Sequence, residues 1–334
     1  MQTTHIFVGI DVSKSELVVA ANDQGSWIKG KVENTLEGIK SWLEQLNPAG
    51  KSFILESTGS YSERLIHVLH EHGATFSVIN PSQSRAMSKA LSKPNKTDDQ
   101  DAKTLSILGE KLETRQYKMP TAGQKKRKEA FSALCSLQKQ ERQLKNQIHA
   151  FEYRVDPNPV AIQALKDVLS SVQASIKALE EQMCPPQEDE KAHQLVERIT
   201  SIKCVGLVTA RAVVTLFGDF SDITGAKAFA RFLGVAPSEY SSGTSVRARS
   251  KITKNGHSKI RGLLFNCART AMRFNPNCKA IYERLIAKGK NGKVALTAVM
   301  HKLARIIYGV VHSQCDFNPE YALNKQKVQQ KLTL

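Results

Sequence analysis

Residues 6–21, IFVGIDVSKSELVVAA, read as an apolar run, a turn around residues 13–15 and a second β-rich run, with another turn at residues 22–25. Residues 53–55 form a short buried-type strand ending at Glu56. Residues 61–71 have helical spacing, and residues 76–79 form a further strand stopped by Asn80-Pro81. Strands alternating with helices predict an α/β layer.

From Lys125 the pattern changes to a long polar helix. Its apolar positions, Leu134, Leu137, Leu144, Ile148, Phe151 and Val155, follow three- and four-residue steps and are interrupted once, by Glu141. Asp156-Pro157-Asn158-Pro159 breaks this helix. A second stripe, Ile162, Leu165, Leu169, Val172, Ile176, Leu179 and Met183, runs to Pro185-Pro186. The two helices predict an antiparallel pair, either an intramolecular spacer or a dimerising coiled coil. Beyond Glu190 the chain reads as helical, basic and punctuated by glycine to about Gln314. The expected division is therefore an α/β domain over 1–120, a coiled-coil helical pair over 121–190, a mostly α-helical domain over 191–315 and a polar tail over 316–334.

Charge narrows the partners. The 334 residues carry 48 Lys and Arg against 31 Asp and Glu, a net +17, which attracts polyanions, nucleic acid first and anionic membrane surfaces second. No apolar run approaches the roughly 20 residues of a membrane span, so no membrane partner is expected. The N-terminus lacks the marks of an export signal, and the chain reads as intracellular. Six scattered cysteines without a C-x-x-C pair argue against a disulfide framework or a zinc knuckle.

Four carboxylates stand at informative places: Asp11 inside the first strand, Glu56 at the end of another, and Asp98 and Asp101 on an expected helix. An acid within an apolar strand is costly unless paired with a cation or metal. Asp98 and Asp101, three apart, share a helix face and can both point at the sheet. Four converging carboxylates suit hard divalent Mg²⁺, and two such ions can clamp the attacking and leaving oxygens of a phosphodiester. The plain alternative is that Asp11 caps a turn, Glu56 pairs with a lysine and Asp98 caps its helix.

A second constellation is the segment YSSGTSVRAR, residues 240–249. Hydroxyls beside a glycine predict a flexible loop in which one oxygen attacks phosphorus while Arg247 and Arg249 hold the phosphate; spacing alone does not choose the nucleophile. Lys251, Lys254, Lys259 and Arg261 continue the basic run without an acid, which suits phosphate contacts; a simple nucleic-acid contact loop is the alternative to a catalytic one. Residues 199–210 resemble a helix-hairpin-helix turn, with Cys204 where that motif has glycine. His67, His70 and His72 read as a solvated helix face.

GIDVSK (9–14), ESTG (56–59), VINP (78–81), NKTDDQDAK (95–103), FLGVAP (232–237), YSSGTSVR (240–247) and GKNGKVAL (289–296) follow one another in an order that resembles the bacterial insertion-sequence transposases with a DEDD tetrad. That family includes the Piv-type DNA invertases and the bridge-RNA-guided recombinases. The resemblance implies an RNase H-like (RuvC-like) N-terminal domain with its Mg²⁺ tetrad at Asp11, Glu56, Asp98 and Asp101. It also implies a serine nucleophile at Ser242, with Ser241 where an acid is more usual, and strand exchange through a covalent serine-DNA intermediate.

The implied partners are double-stranded DNA at element ends and target, a structured noncoding RNA, and further copies of the chain, homodimers assembling to a tetramer. The implied place is the bacterial cytoplasm, near the nucleoid. Inversion without an RNA guide, Holliday-junction hydrolysis by water, and non-catalytic nucleic-acid binding are the alternatives. A sugar-kinase or actin-like ATPase, suggested by GIDVSKSEL, fits less well because the C-terminal half is helical and basic. The basic segments carry no recognition-helix, zinc-finger or basic-zipper signature, so base pairing by a bound RNA is the expected source of site choice.

Overall fold

The computed structural model describes residues 5–91, 97–183, 189–238, 241–242, 246–247, 251–254 and 256–319. The chain divides into two compact units at residues 119 and 120.

The first unit holds β1 (Ile6–Val12), β2 (Glu16–Asp23), β3 (Ser26–Glu33), α1 (Leu36–Leu46), β4 (Lys51–Glu56), α2 (Glu63–Glu71), β5 (Thr75–Ile79), α3 (Pro81–Ala90) and α4 (Asp98–Lys111). Its mixed sheet has the order β3-β2-β1-β4-β5. β2 is antiparallel to β1 and β3, whereas β1, β4 and β5 run parallel. The expected α/β layer is present. β3 and α1 are additions to the sequence reading: β3 is an exposed edge strand with only Val32 buried, so it lacks a clean apolar signature.

The pleat sorts the sheet residues onto two faces. Val8, Ile10 and Val12 of β1 and Phe53 and Leu55 of β4 pack in one core with Ile39 and Leu43 of α1 and Leu65, Val68 and Leu69 of α2. The alternate positions face α4, where Ile54 meets Leu105 and Leu108, and Val18 and Ala20 meet Ala102. Asp11 and Glu56 share the parity of Gly9 and Ile54, and so belong to the α4 side.

The second unit begins with α5 (Ala122–Glu152) and α6 (Pro159–Gln182), an antiparallel pair. Asn158 caps α6 by accepting from the backbone N–H groups of Val160 and Ala161, and Pro159 occupies the first turn. The seam carries polar interlocks: Gln173 donates to Glu141 at 3.1 Å, and Gln138 donates to Glu180. Glu141, the break in the apolar stripe, is therefore bonded across the pair. α6 has no fully buried residue, and Val155 lies beyond α5 and is fully exposed, so the stripe predicted to end at Val155 ends inside the helix. Near the base of the pair, Phe131, Leu134 and Met183 enter the core of the helices that follow.

Those helices are α7 (Glu190–Thr200), α8 (Leu207–Phe217) and α9 (Ala226–Phe232). Four two-residue strands follow, β6 (Pro237–Ser238), β7 (Ser241–Ser242), β8 (Val246–Arg247) and β9 (Lys251–Ile252), and then α10 (Ser258–Phe274), α11 (Pro276–Ala287) and α12 (Gly292–Ser313). Cys204, between α7 and α8, has φ +85°, the left-handed conformation that favours glycine, so the hairpin turn forms with cysteine at its strained position. α12 runs for 22 residues and is apolar enough, by length and composition, to cross a membrane, contrary to the expectation that no run reaches that length. Its Val299, Leu303, Ala304 and Ile307 fill the centre of the second core, which accounts for its composition.

Candidate active site

Gly9 sets the geometry of the first unit's polar end. A Cβ at this position would lie 2.0 Å from the Ala102 carbonyl oxygen and 2.4 Å from the Ser106 nitrogen, so glycine alone lets α4 lie directly on β1. Ser106 Oγ donates to the Phe7 carbonyl at 2.7 Å and locks this approach. The first turn of α4, with Asp98 and Asp101, is thereby brought over the strand that carries Asp11. Ile10 pairs with Leu55, which makes Asp11 and Glu56 the next residues on neighbouring parallel strands.

The electrostatics report the convergence. The Asp11 carboxyl is pushed up to about 6, first by burial and then by the negative charges of Asp101, Asp98 and Glu56. Asp99, between the two helix carboxylates, turns instead to Lys29 of β3 at 2.8 Å, and this partner holds its carboxyl low. Thr97 caps α4 by accepting from the Gln100 N–H. Lys96 and its neighbours at 92–95 lie outside the described residues.

Two supporting residues were missed in the sequence reading. Buried Ser84 of α3 donates to Glu56 Oε2 at 2.5 Å and so orients that carboxylate. Buried Asn34 ties together the segments after the two catalytic-candidate strands: its side-chain amide donates to the carbonyls of Ser13 at 2.7 Å and Tyr61 at 3.1 Å. The Arg64 guanidinium donates to the Asn34 carbonyl at 2.7 Å. A buried polar residue at a strand end was the available signal, but nothing local identifies its partners.

Among the described residues, no three Asp, Glu, His or Cys side chains are gathered closely enough to hold a metal ion. Asp11 nonetheless lies in the negative field of Asp101, Asp98 and Glu56. His67, His70 and His72 are exposed on α2 and its C-terminal end, as the solvated-face reading expects.

The serine segment lies in the second unit. Ser241 and Ser242 pair antiparallel with Arg247 and Val246 respectively, so the segment expected as a flexible loop is a hairpin at these positions. Tyr240, Arg249 and residues 243–245 lie outside the described residues, as do the side chains of Ser242 and Arg247. Pro237 and Ser238 pair with Ile252 and Lys251.

Residues 8–156 match the DEDD transposase family of IS110 type, and residues 196–283 match the family described as Transposase IS116/IS110/IS902. The chain carries IS110/IS116-family transposase domains. Pilin gene-inverting proteins of Moraxella lacunata and Moraxella bovis are each 27% identical to it over 325 residues, covering 93% of this chain and 97% of theirs. A solved structure of T. thermophilus RuvC in complex with a Holliday junction substrate matches 34% of the chain at 12% identity and a TM-score of 0.27.

The basic residues singled out beside the transposase domain's serine segment have different fates. Lys251 and Lys254 are exposed. Lys259 is half-buried and donates to Gln138 Oε1 on α5, and Arg261 donates to the Gly256 carbonyl at 2.6 Å. These two cations are bonded inside the unit.

Proposed function

We propose that the chain is a Mg²⁺-dependent DNA recombinase in which Asp11, Glu56, Asp98 and Asp101 form the metal site of an RNase H-like (RuvC-like) domain. The observation that carries this reading is the Asp11 carboxyl on a central strand, raised first by its burial and then by three other carboxylates from β4 and α4. The sheet order, with β2 alone antiparallel beside the central strand, supports the fold assignment.

The donor chemistry fits a hard divalent cation: all four ligands are carboxylates, and their repulsion is what such a cation relieves. Bound Mg²⁺ would supply charge stabilisation at the phosphoryl oxygens. The protein's part is orientation. Gly9 admits α4 to the sheet, Ser84 fixes one Glu56 oxygen, and Asn34 holds the strand ends together.

Ser242 is the proposed nucleophile. Its Oγ forms a bond to phosphorus as the strand P–O bond breaks, and the hydroxyl proton passes to the leaving oxygen, giving a free hydroxyl end. Attack by a hydroxyl of another strand reverses the step and restores Ser242, so each exchange conserves phosphodiester bonds without ATP. Arg247 and Arg249 are the proposed phosphate holders, with homodimers assembling to a tetramer to bring the DNA strands together.

A denaturing gel tests the mechanism: protein-linked DNA is expected from the native chain and Ser241→Ala, and none from Ser242→Ala. Loss only in Ser241→Ala moves the nucleophile, and recombination by Asp11→Asn overturns the metal site.

Guidance by a structured noncoding RNA is proposed for site choice. Inversion by direct DNA readout is the second reading, favoured by the likeness to pilin gene-inverting proteins over nearly the whole chain. Recombination by RNA-free protein selects inversion without a guide; restoration by the RNA encoded beside the gene selects guidance.

A further inference from the structure

α10 buries Ile260, Leu264, Cys267, Ala268 and Ala271. Its opposite side presents Phe265, Asn266, Arg269, Thr270, Arg273 and Phe274 to solvent. Asn266, Arg269, Thr270, Met272, Arg273 and Phe274 line a shallow depression of about 280 Å³. Phe265 is 36% exposed and Phe274 57% exposed, large apolar areas to leave in water on so polar a face.

Arg269 and Arg273 lie one turn apart on this face, and among the described residues neither has a hydrogen bond or ion pair. They differ in this from Lys259 and Arg261 at the start of the same helix. Charge along this stretch of sequence is one-sided: residues 241–315 contain fifteen Lys and Arg and a single acid, Glu283. The matching partner is a polyanion that also has apolar faces to cover the rings.

We infer that the outer face of α10 binds an unpaired DNA strand, with Phe274 stacking on a base and Arg269 and Arg273 contacting the flanking phosphates. Duplex DNA offers the arginines the same charge, but its base faces are already stacked, so an exposed phenylalanine gains little from it. An unpaired strand offers both, and base–aromatic stacking tolerates any sequence. The inference rests on the reading of the chain as a DNA strand-exchange protein, a reaction in which unpaired strands arise.

The test is fluorescence anisotropy with the full chain in EDTA, using a labelled oligothymidylate, an oligouridylate and a duplex of equal length. Working without metal separates this surface from the carboxylate site, so failure of either leaves the other measurable. Phe274→Ala is expected to weaken oligothymidylate binding about tenfold and duplex binding less than about twofold. Arg269→Gln with Arg273→Gln is expected to weaken both and to reduce the single-strand salt slope by about 1.4, from roughly 0.7 per phosphate contact.

Equal effects of Phe274→Ala on strand and duplex, or none on either, overturn the inference. A change of oligomeric state in Phe274→Ala at unchanged circular dichroism overturns it by assigning the ring to an interface between copies. Tighter, Phe274-dependent binding of oligouridylate overturns the choice of DNA and makes RNA the occupant.

Discussion

Ser84 Oγ donates to Glu56 Oε2 across 2.5 Å, joining residues 28 positions apart in the chain at the end of the parallel strands. Ser84 Oγ also lies 3.1 Å from the Pro81 carbonyl, the alternative acceptor for its single proton, and Asn80 caps this first turn of α3 with a reciprocal Gln83 contact. The turn that carries the hydroxyl is therefore fixed within α3, independently of the carboxylate. Outer contacts of this kind tune metal ligands by about 10- to 100-fold when removed. Ser84→Ala is expected to lower strand cleavage by about tenfold and to raise the Mg²⁺ concentration needed for half-maximal rate. Ser84→Thr, which keeps the hydroxyl, is expected to recover most of both. Equal rates and Mg²⁺ dependence in native protein and Ser84→Ala would remove the positioning role.

Asp11 links the site to stability. Because its carboxyl sits at about 6 in the folded chain against 3.8 ordinarily, the folded state binds this proton more tightly than the unfolded state. The contribution is full below about pH 4 and is lost as pH rises through 6. In EDTA, Asp11→Asn is thus expected to be more stable than the native chain at pH 7 by about 1 kcal/mol, after allowance for solvent screening. Added Mg²⁺ should stabilise the native protein and not the variant. Thermal melts at pH 4 and pH 7, with and without the ion, check both signs.

Gly9→Ala places a methyl against the backbone of α4, where neither the Ala102 carbonyl nor the Ser106 nitrogen can rotate away. The expected cost is about 1–3 kcal/mol in urea unfolding. Cleavage should fall further than stability alone accounts for, because displacement of α4 moves Asp98 and Asp101. A variant with native activity and lowered stability would separate the contact from the site.

Cys204 has the left-handed φ of +85° and also packs partly against the second core. Cys204→Ala keeps the strain and loses the sulfur, whereas Cys204→Gly relieves the strain. The glycine variant is expected to be about 1 kcal/mol more stable than the alanine variant in denaturant titration. The reverse order would show that packing of a side chain outweighs backbone strain at this turn.

Local pattern alone specified a good part of this protein. The apolar runs and turns of residues 6–21 marked β1 and β2, Asn80-Pro81 marked the end of β5, and the prolines at 157 and 159 marked the break between α5 and α6. Asp11 was conspicuous because a charge in an apolar strand is costly, and Asp98 and Asp101 were paired by helical spacing. These signals are legible because they depend on neighbours within a few residues. The tertiary structure decided the rest. Whether Gly9 is a flexible link or a contact surface depends on a helix some ninety residues later. The same holds for Ser84 against Glu56, for Lys259 engaged by α5, and for Arg269, Arg273 and Phe274 left facing water. Chain composition states which charges exist; only packing settles which of them are bonded inside and which remain to meet a partner, because that depends on distances between segments far apart in sequence.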